Sequence, residues 1–183
     1  ESEEILKVRS ELCVQQLVHR ESNLWLTVTN WGFLGSEMEW QDDSETGLPA
    51  PSAEFPGGSG LEYLFQGAIW VGGIVEGETL VSVGVDGWLW INEMLPADIC
   101  PNGEIKKFEN FGDQELVAVY TDSVVDEEDP DPIDHRFHKP LNIEITQHSY
   151  SWISPPYDDF VLLDYKIKNF GNKFISKAYI GFY

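Results

Sequence analysis

GAIWVGGIVEGETLVSVG, residues 67–84, decides how the rest of the chain is read. Two runs rich in Val and Ile, 67–75 and 78–84, flank the pair Glu76-Gly77. Branched side chains crowd a helix but pack well on a pleated surface. A two-residue linker ending in Gly accepts the left-handed backbone of a tight hairpin turn. The stretch therefore predicts two antiparallel strands.

The same signature recurs along the chain. LWLTVTN (24–30) alternates Leu24, Leu26 and Val28 against Trp25, Thr27 and Thr29 before Asn30-Trp31-Gly32 breaks it. WLWI (88–91) follows a turn at Asp86-Gly87, and LVAVYT (116–121) and LNIEITQHS (141–149) are further strand-like runs. In FVLLDYKIKN (160–169), Val161, Leu163, Tyr165 and Ile167 share one face while Asp164, Lys166 and Lys168 share the other. That is the pattern of a half-buried antiparallel strand. FISKAYIGFY (174–183) follows it, and Phe170-Gly171-Asn172-Lys173 predicts a hairpin between the two.

Many short strands and no sustained helix beyond residue 20 predict an all-β fold, an antiparallel sandwich or sandwich-like barrel with long acidic and Gly/Pro-rich loops. Upstream, residues 3–18 place Ile5, Val8, Leu12 and Val18 near helical spacing, which predicts a short N-terminal helix. The expected organisation is an N-terminal segment, 1–20, followed by one sandwich domain, 21–183. The apolar AYIGFY (178–183) leads us to expect that this domain continues into a longer polypeptide.

Charge limits the partners. Thirty-two acids against 11 bases give a formal net charge of −21. Nucleic acid and anionic lipid both need a basic footprint, so neither is expected. No apolar run approaches the roughly 18 residues that span a bilayer. The segment PGGSGLEYLFQ (56–66) is glycine-rich, but a phosphate loop also needs a lysine, and no Lys or Arg lies between residues 21 and 105. Those glycines are read as a structural bend. Cys13 and Cys100 are compatible with either a disulfide or two free thiols.

Two groups of residues are candidates for binding. Asp126, Glu127, Glu128, Asp129, Asp131 and Asp134 form an oxygen-rich loop of the kind that holds a structural Ca²⁺. Their spacing does not match an EF-hand, and a solvated acidic loop kept extended by Pro130 and Pro132 is the competing reading. His135 and His138 lack the helical H-E-x-x-H arrangement of a zinc hydrolase. The second group is aromatic. Trp31, Trp40, Trp88, Trp90, Trp152 and Tyr157 lie in or near turns, where they would stack on a sugar or on a partner protein. Core packing is the competing reading for each. No nucleophile elbow is present, and no carboxylate pair stands out for glycoside hydrolysis.

Several motifs occur together: Asn30, Gly32 and Gly35; Pro56, Gly58, Ser59 and Gly60; Trp70, Gly72 and Gly73; Asp129 and Pro130; His138, Pro140 and Leu141; Asp164, Tyr165, Asn169 and Gly171. In combination they resemble the N-terminal β-rich region of large, mostly uncharacterised secreted bacterial surface proteins, which often end in a sorting domain for type IX secretion. The resemblance covers most of residues 24–183. It implies export, a β-rich surface module and a longer parent chain, and it carries no catalytic residues.

The functional expectation is a secreted, extracellular or cell-surface structural or interaction module. It would self-associate or pack on neighbouring domains, as a subunit of a surface assembly or filament. It would not be an enzyme and would require no cofactor beyond a structural Ca²⁺. A carbohydrate-binding module is the alternative, with glycan as partner, and a fragment of a secreted hydrolase is the third reading.

Overall fold

A computed structural model describes residues 13–36, 42–87, 91–124, 130 and 135–183. Twelve strands are present among them: β1 (Gln16–His19), β2 (Trp25–Thr29), β3 (Phe33–Leu34), β4 (Ala53–Glu54), β5 (Gly67–Val75), β6 (Glu78–Val83), β7 (Leu95–Pro96), β8 (Lys106–Phe108), β9 (Gln114–Thr121), β10 (Ile143–Ser151), β11 (Leu162–Asn169) and β12 (Ile175–Phe182). They form two antiparallel sheets that pack face to face. One is seven-stranded, ordered β1-β2-β3-β5-β12 with β4 beside β2 and β6 beside β5; the other is five-stranded, ordered β11-β10-β9-β7 with β8 beside β9. The all-β sandwich expected from the sequence is the observed fold. No helix among the described residues is long and apolar enough to cross a membrane.

The β5–β6 hairpin forms as read. Glu76 and Gly77 both have positive φ, 52° and 91°, the backbone that matches the twist of the flanking strands. Ladder pairs run from Val75↔Glu78 to Trp70↔Val83.

Three expectations fail locally. Residues 16–18, read as part of a helix, are β-strand, and β1 pairs with β2 from Gln16↔Thr29 to His19↔Leu26. The sandwich therefore includes residues placed outside it at the 20/21 boundary. Helical spacing over so short a run was outweighed by burial of Leu17 and Val18 against the sheet. Residues 3–12 of the expected helix lie outside the described residues. The predicted β11–β12 hairpin is instead a crossover, since β11 pairs with β10 and β12 pairs with β5. Its turn is held from a third place: the N–H groups of Phe170 and Gly171 both donate to the Asn142 carbonyl. Finally, residues 41–60, a Pro-, Gly- and Ser-rich stretch expected as a long loop, contain β4, which docks on β2 through Trp25↔Glu54 and Leu26↔Ala53.

The core lies between the sheets. Val28, Ile69 and Val71 from one sheet meet Leu116, Tyr120, Ile143 and Ile145 from the other, all buried. Towards the far end of β10 the inward positions turn polar, with Gln147, Ser149 and Ser151 almost fully buried. Each finds a partner, as burial of polar groups requires. The Tyr120 hydroxyl donates to Gln147 Oε1 at 3.0 Å, and His19 fills the space beside the two serines. Buried Asp122 ties the sheets together, accepting from Ser82 Oγ, Leu141 N and Ile143 N at 2.6, 2.6 and 2.8 Å. Cys13 and Cys100 form a disulfide that closes 87 residues of sequence separation.

A second, smaller cluster of Trp31, Phe33, Ala68 and Val85 packs beside Trp70 on the other side of the seven-stranded sheet.

Candidate functional site

Period-two geometry assigns the outward face of the five-stranded sheet. Ile143, Ile145, Gln147, Ser149 and Ser151 of β10 point inward, so Glu144, Thr146, His148 and Tyr150 point outward and Trp152 follows just beyond the strand. The sequence HSYSW (148–152) thus places three rings on one face. His148 stacks on Tyr150 at 5.9 Å and 17°, and Tyr150 on Trp152 at 6.4 Å and 28°. Phe111, from the β8–β9 loop, meets Tyr150 and Trp152 edge-on at 5.2 and 5.8 Å. From the β10–β11 loop, Tyr157 and Phe160 approach Trp152 at 6.3 and 5.6 Å. Trp152 Nε1 donates to the Phe111 carbonyl at 3.3 Å, which fixes the indole plane.

Beside this aromatic strip runs a groove of about 360 Å³ lined by Asn102, Glu104, Lys106, Phe108, Asn110, Glu115, Val117, Val119 and His148. His148 Nδ1 lies 2.9 Å from Glu115 Oε1. Burial raises the Tyr150 hydroxyl above its usual range, and the negative charges of Glu115 and Asp164 add to this. It therefore stays a hydrogen-bond donor at neutral pH.

Of the six aromatic candidates, Trp152 and Tyr157 are brought together in this strip. Trp31 is a correction. It is 5% exposed in the smaller cluster, where the Thr29 hydroxyl accepts from the N–H groups of Trp31 and Phe33 and folds the turn back onto the sheet. It has no exposed face to offer a ligand. Trp40, Trp88 and Trp90 lie outside the described residues. So do Asp126, Glu127, Glu128, Asp129, Asp131 and Asp134, the candidate Ca²⁺ loop. The reading from sequence missed Phe111, Tyr150, Phe160 and Glu115, and weighed His148 only as a metal ligand or a catalytic base. The alternation of rings with serines in HSYSW was the available signal for His148 and Tyr150.

Two other histidines, His138 and His19, are engaged in structure. His138 Nδ1 pairs with Glu93 at 3.0 Å, and its Nε2 meets the Asp122 carbonyl at 3.1 Å. Both nitrogens are thus used. His19 bonds Ser149 and Ser151, a His–Ser contact of the kind hydrolases employ, but all three residues are 0% exposed. Among the described residues the one grouping of metal-type side chains is Cys13, Cys100 and Glu104, and its two sulfurs are bonded to each other.

The second notable surface is the margin of the seven-stranded sheet at β12. Ile180 and Phe182 pair with the buried Val71 and Ile69 and so face the core side, yet each is 59% exposed. On the opposite face, Tyr179 and Tyr183 are also exposed. The outer edge of β12 has no strand partner among the described residues. Three other margins are guarded. β1 is covered by residues 42–48: Ser44 Oγ and Asp43 Oδ2 accept from Gln16 N and Val18 N, and Ser44 N donates to the Gln16 carbonyl. β11 carries Asp164, Lys166 and Lys168 outward, and β8 is three residues long with two lysines. β12 has a single charge, Lys177, at a bulge near its start. Short strands, charges and bulges are the usual protections of a sheet edge, and Tyr179–Phe182 has none of the first two.

No family model, curated protein or solved structure matches this chain.

Proposed function

We propose that this chain is an exported β-sandwich module of the extracellular space or cell surface, and that it works by joining a neighbouring polypeptide rather than by catalysis. The observation that carries the reading is β12, whose apolar residues are exposed on both faces beside an edge with no strand partner among the described residues. An open edge offers main-chain hydrogen bonds to an added strand, and exposed side chains at alternate positions supply the selectivity. The occupant is an extended, apolar strand donated by another chain or domain.

Two further features support export and a non-catalytic role. The Cys13–Cys100 disulfide fits an oxidising compartment. The sealed His19–Ser149–Ser151 set cannot reach a substrate.

The test is the mass and size of the native particle taken from its source, by light scattering. The expected result is a species well above the single-chain 20.8 kDa, or a recovered partner, lost in Tyr179→Lys and in Ile180→Lys while the fold persists by circular dichroism. Strictly monomeric protein at high concentration, with no partner captured from a cell-surface extract, overturns the reading.

A further inference from the structure

We propose that the outer face of the five-stranded sheet binds a neutral polysaccharide, laid across the rings of Trp152, Tyr157 and Phe160 and running into the groove beside His148 and Glu115. This site lies on the sheet opposite β12, so the two proposals stand or fall separately.

Preorganisation is the first argument. Tyr150 and Trp152 alternate with Ser149 and Ser151, and those serines are locked into the core by His19. A slip of β10 by one residue would break both contacts and bury the rings, so the core fixes which face they occupy. Once there, the rings brace each other edge to face, and the Trp152 N–H is anchored on Phe111. A ligand pays little ordering entropy to meet them.

Exposure is the second. Phe111, Tyr157 and Phe160 are 66%, 56% and 40% exposed, grouped at one end of the face rather than scattered. Grouped exposed aromatics mark a binding surface. A pyranose presents an apolar C–H face to a ring and polar hydroxyls around its rim, and the strip with its adjoining groove offers both surfaces in that order. Glu104, Asn110 and Glu115 line the groove with acceptors, and the Asn102 and Asn110 amides add donors.

Charge then selects among glycans. Lys106 is the one cationic side chain lining the groove, against Glu104 and Glu115, within a molecule of −21. Sulfated or uronic-acid chains would be repelled, which leaves a neutral chain as the occupant.

The experiment is retention on insoluble cellulose, chitin, xylan, mannan and β-1,3-glucan, followed by a glycan array carrying neutral and acidic chains, with tryptophan emission as the binding signal. Binding to at least one neutral polysaccharide is expected, weakened about tenfold or more by Trp152→Ala and by Tyr157→Ala. Tyr63→Ala, an exposed ring beside β4 of the other sheet, should leave it unchanged. Tyr157 is more than half exposed, so Tyr157→Ala decides the matter if Trp152→Ala fails to fold. No retention across the panel, binding to acidic chains alone, or affinity unaltered in Tyr157→Ala overturns the proposal.

Discussion

His19 Nε2 lies 2.8 Å from Ser149 Oγ, joining β1 of one sheet to β10 of the other through a fully buried contact. Its Nδ1 meets Ser151 Oγ at the same distance. A neutral imidazole donates from one nitrogen and accepts at the other, and two hydroxyls satisfy both roles. Burial pushes the pKa down to about 3, outweighing the hydrogen bond with Gln114 that acts to raise it. The unfolded chain takes up this proton near pH 6.5, so it gains protons first as pH falls. Stability from this site is full above 6.5 and drains away towards pH 3, at about 1.4 kcal/mol per pH unit. The gap in urea-unfolding stability between wild type and His19→Leu should therefore narrow from pH 7 to pH 4. Comparing the two proteins cancels the titration of their shared carboxylates. A gap that stays constant would sink the assignment.

His138 titrates in the opposite sense. Burial lowers its pKa, but the hydrogen bond and charge of Glu93, with help from Asp122, more than compensate and leave it raised. Stability from the His138–Glu93 pair is therefore complete below pH 6.5 and is lost as pH rises through the folded-state pKa. Glu93→Gln should remove this alkaline loss and return the His138 titration towards its ordinary value, read by NMR of the ring protons. An unchanged titration in Glu93→Gln would contradict the pairing.

The Cys13–Cys100 bond connects the residues leading into β1 with the loop between β7 and β8. Cross-linking positions 87 apart removes much freedom from the unfolded chain. In the chain-entropy account this stabilises by about 4.6 kcal/mol. Cys13→Ser with Cys100→Ser should lose a large part of that in urea unfolding, as should reduction of the wild type. Asn30 is bonded in the same place, its side-chain amide donating to the Cys13 and Gly103 carbonyls, so Asn30→Ala should add to the loss less than independently.

Asp122 should be the most sensitive polar position of the core. Its carboxylate accepts three hydrogen bonds, from Ser82, Leu141 and Ile143. Replacing it with Ala strands three donors, two of them main-chain N–H groups at the start of β10. A loss of about 3 kcal/mol or more is expected in chemical denaturation. A loss below about 1 kcal/mol would mean water takes over the role of the carboxylate.

What the sequence disclosed follows from range. The β5–β6 hairpin is local, and Glu76-Gly77 specifies its backbone without reference to anything else. The β11 alternation is local too, and Leu163, Tyr165 and Ile167 turn inward as read. The β11–β12 connection was misread because Phe170–Lys173 has turn chemistry that serves a crossover as well as a hairpin. The choice is made by Asn142, remote in sequence. Trp31 looked exposed because Asn-Trp-Gly marks a turn, yet its burial depends on Phe33, Ala68 and Val85 arriving from β3, β5 and the segment after β6. The binding strip was half legible. Trp152 and Tyr157 were singled out, but Phe111 and Glu115 join them only through the pairing of β9 with β10 and the loop before β9.

Gly84 and Gly32 approach so closely that they make a sharp test of how the seven-stranded sheet is closed. β3 and β6 lie end to end along one edge of β5, where Ile69 N donates to the Gly32 carbonyl and Gly84 N donates to the Ile69 carbonyl. A Cβ on Gly84 would sit 2.2 Å from the Gly32 oxygen and 2.6 Å from its carbonyl carbon, both main-chain atoms that cannot swing aside. Gly84→Ala must therefore open this seam and disturb the Trp31–Phe33–Val85 cluster next to it. A loss of about 3 kcal/mol and a shift in tryptophan emission are expected. Gly60→Ala is the contrasting case, a glycine kept for its backbone and not for space. Its φ is +73°, but a Cβ there meets nothing within 4 Å, so only the backbone penalty of about 1 kcal/mol applies. Gly84 itself lies outside the left-handed region, so a loss no larger than that of Gly60→Ala would show that the seam relaxes around the added methyl and that the contact with Gly32 does not demand glycine there.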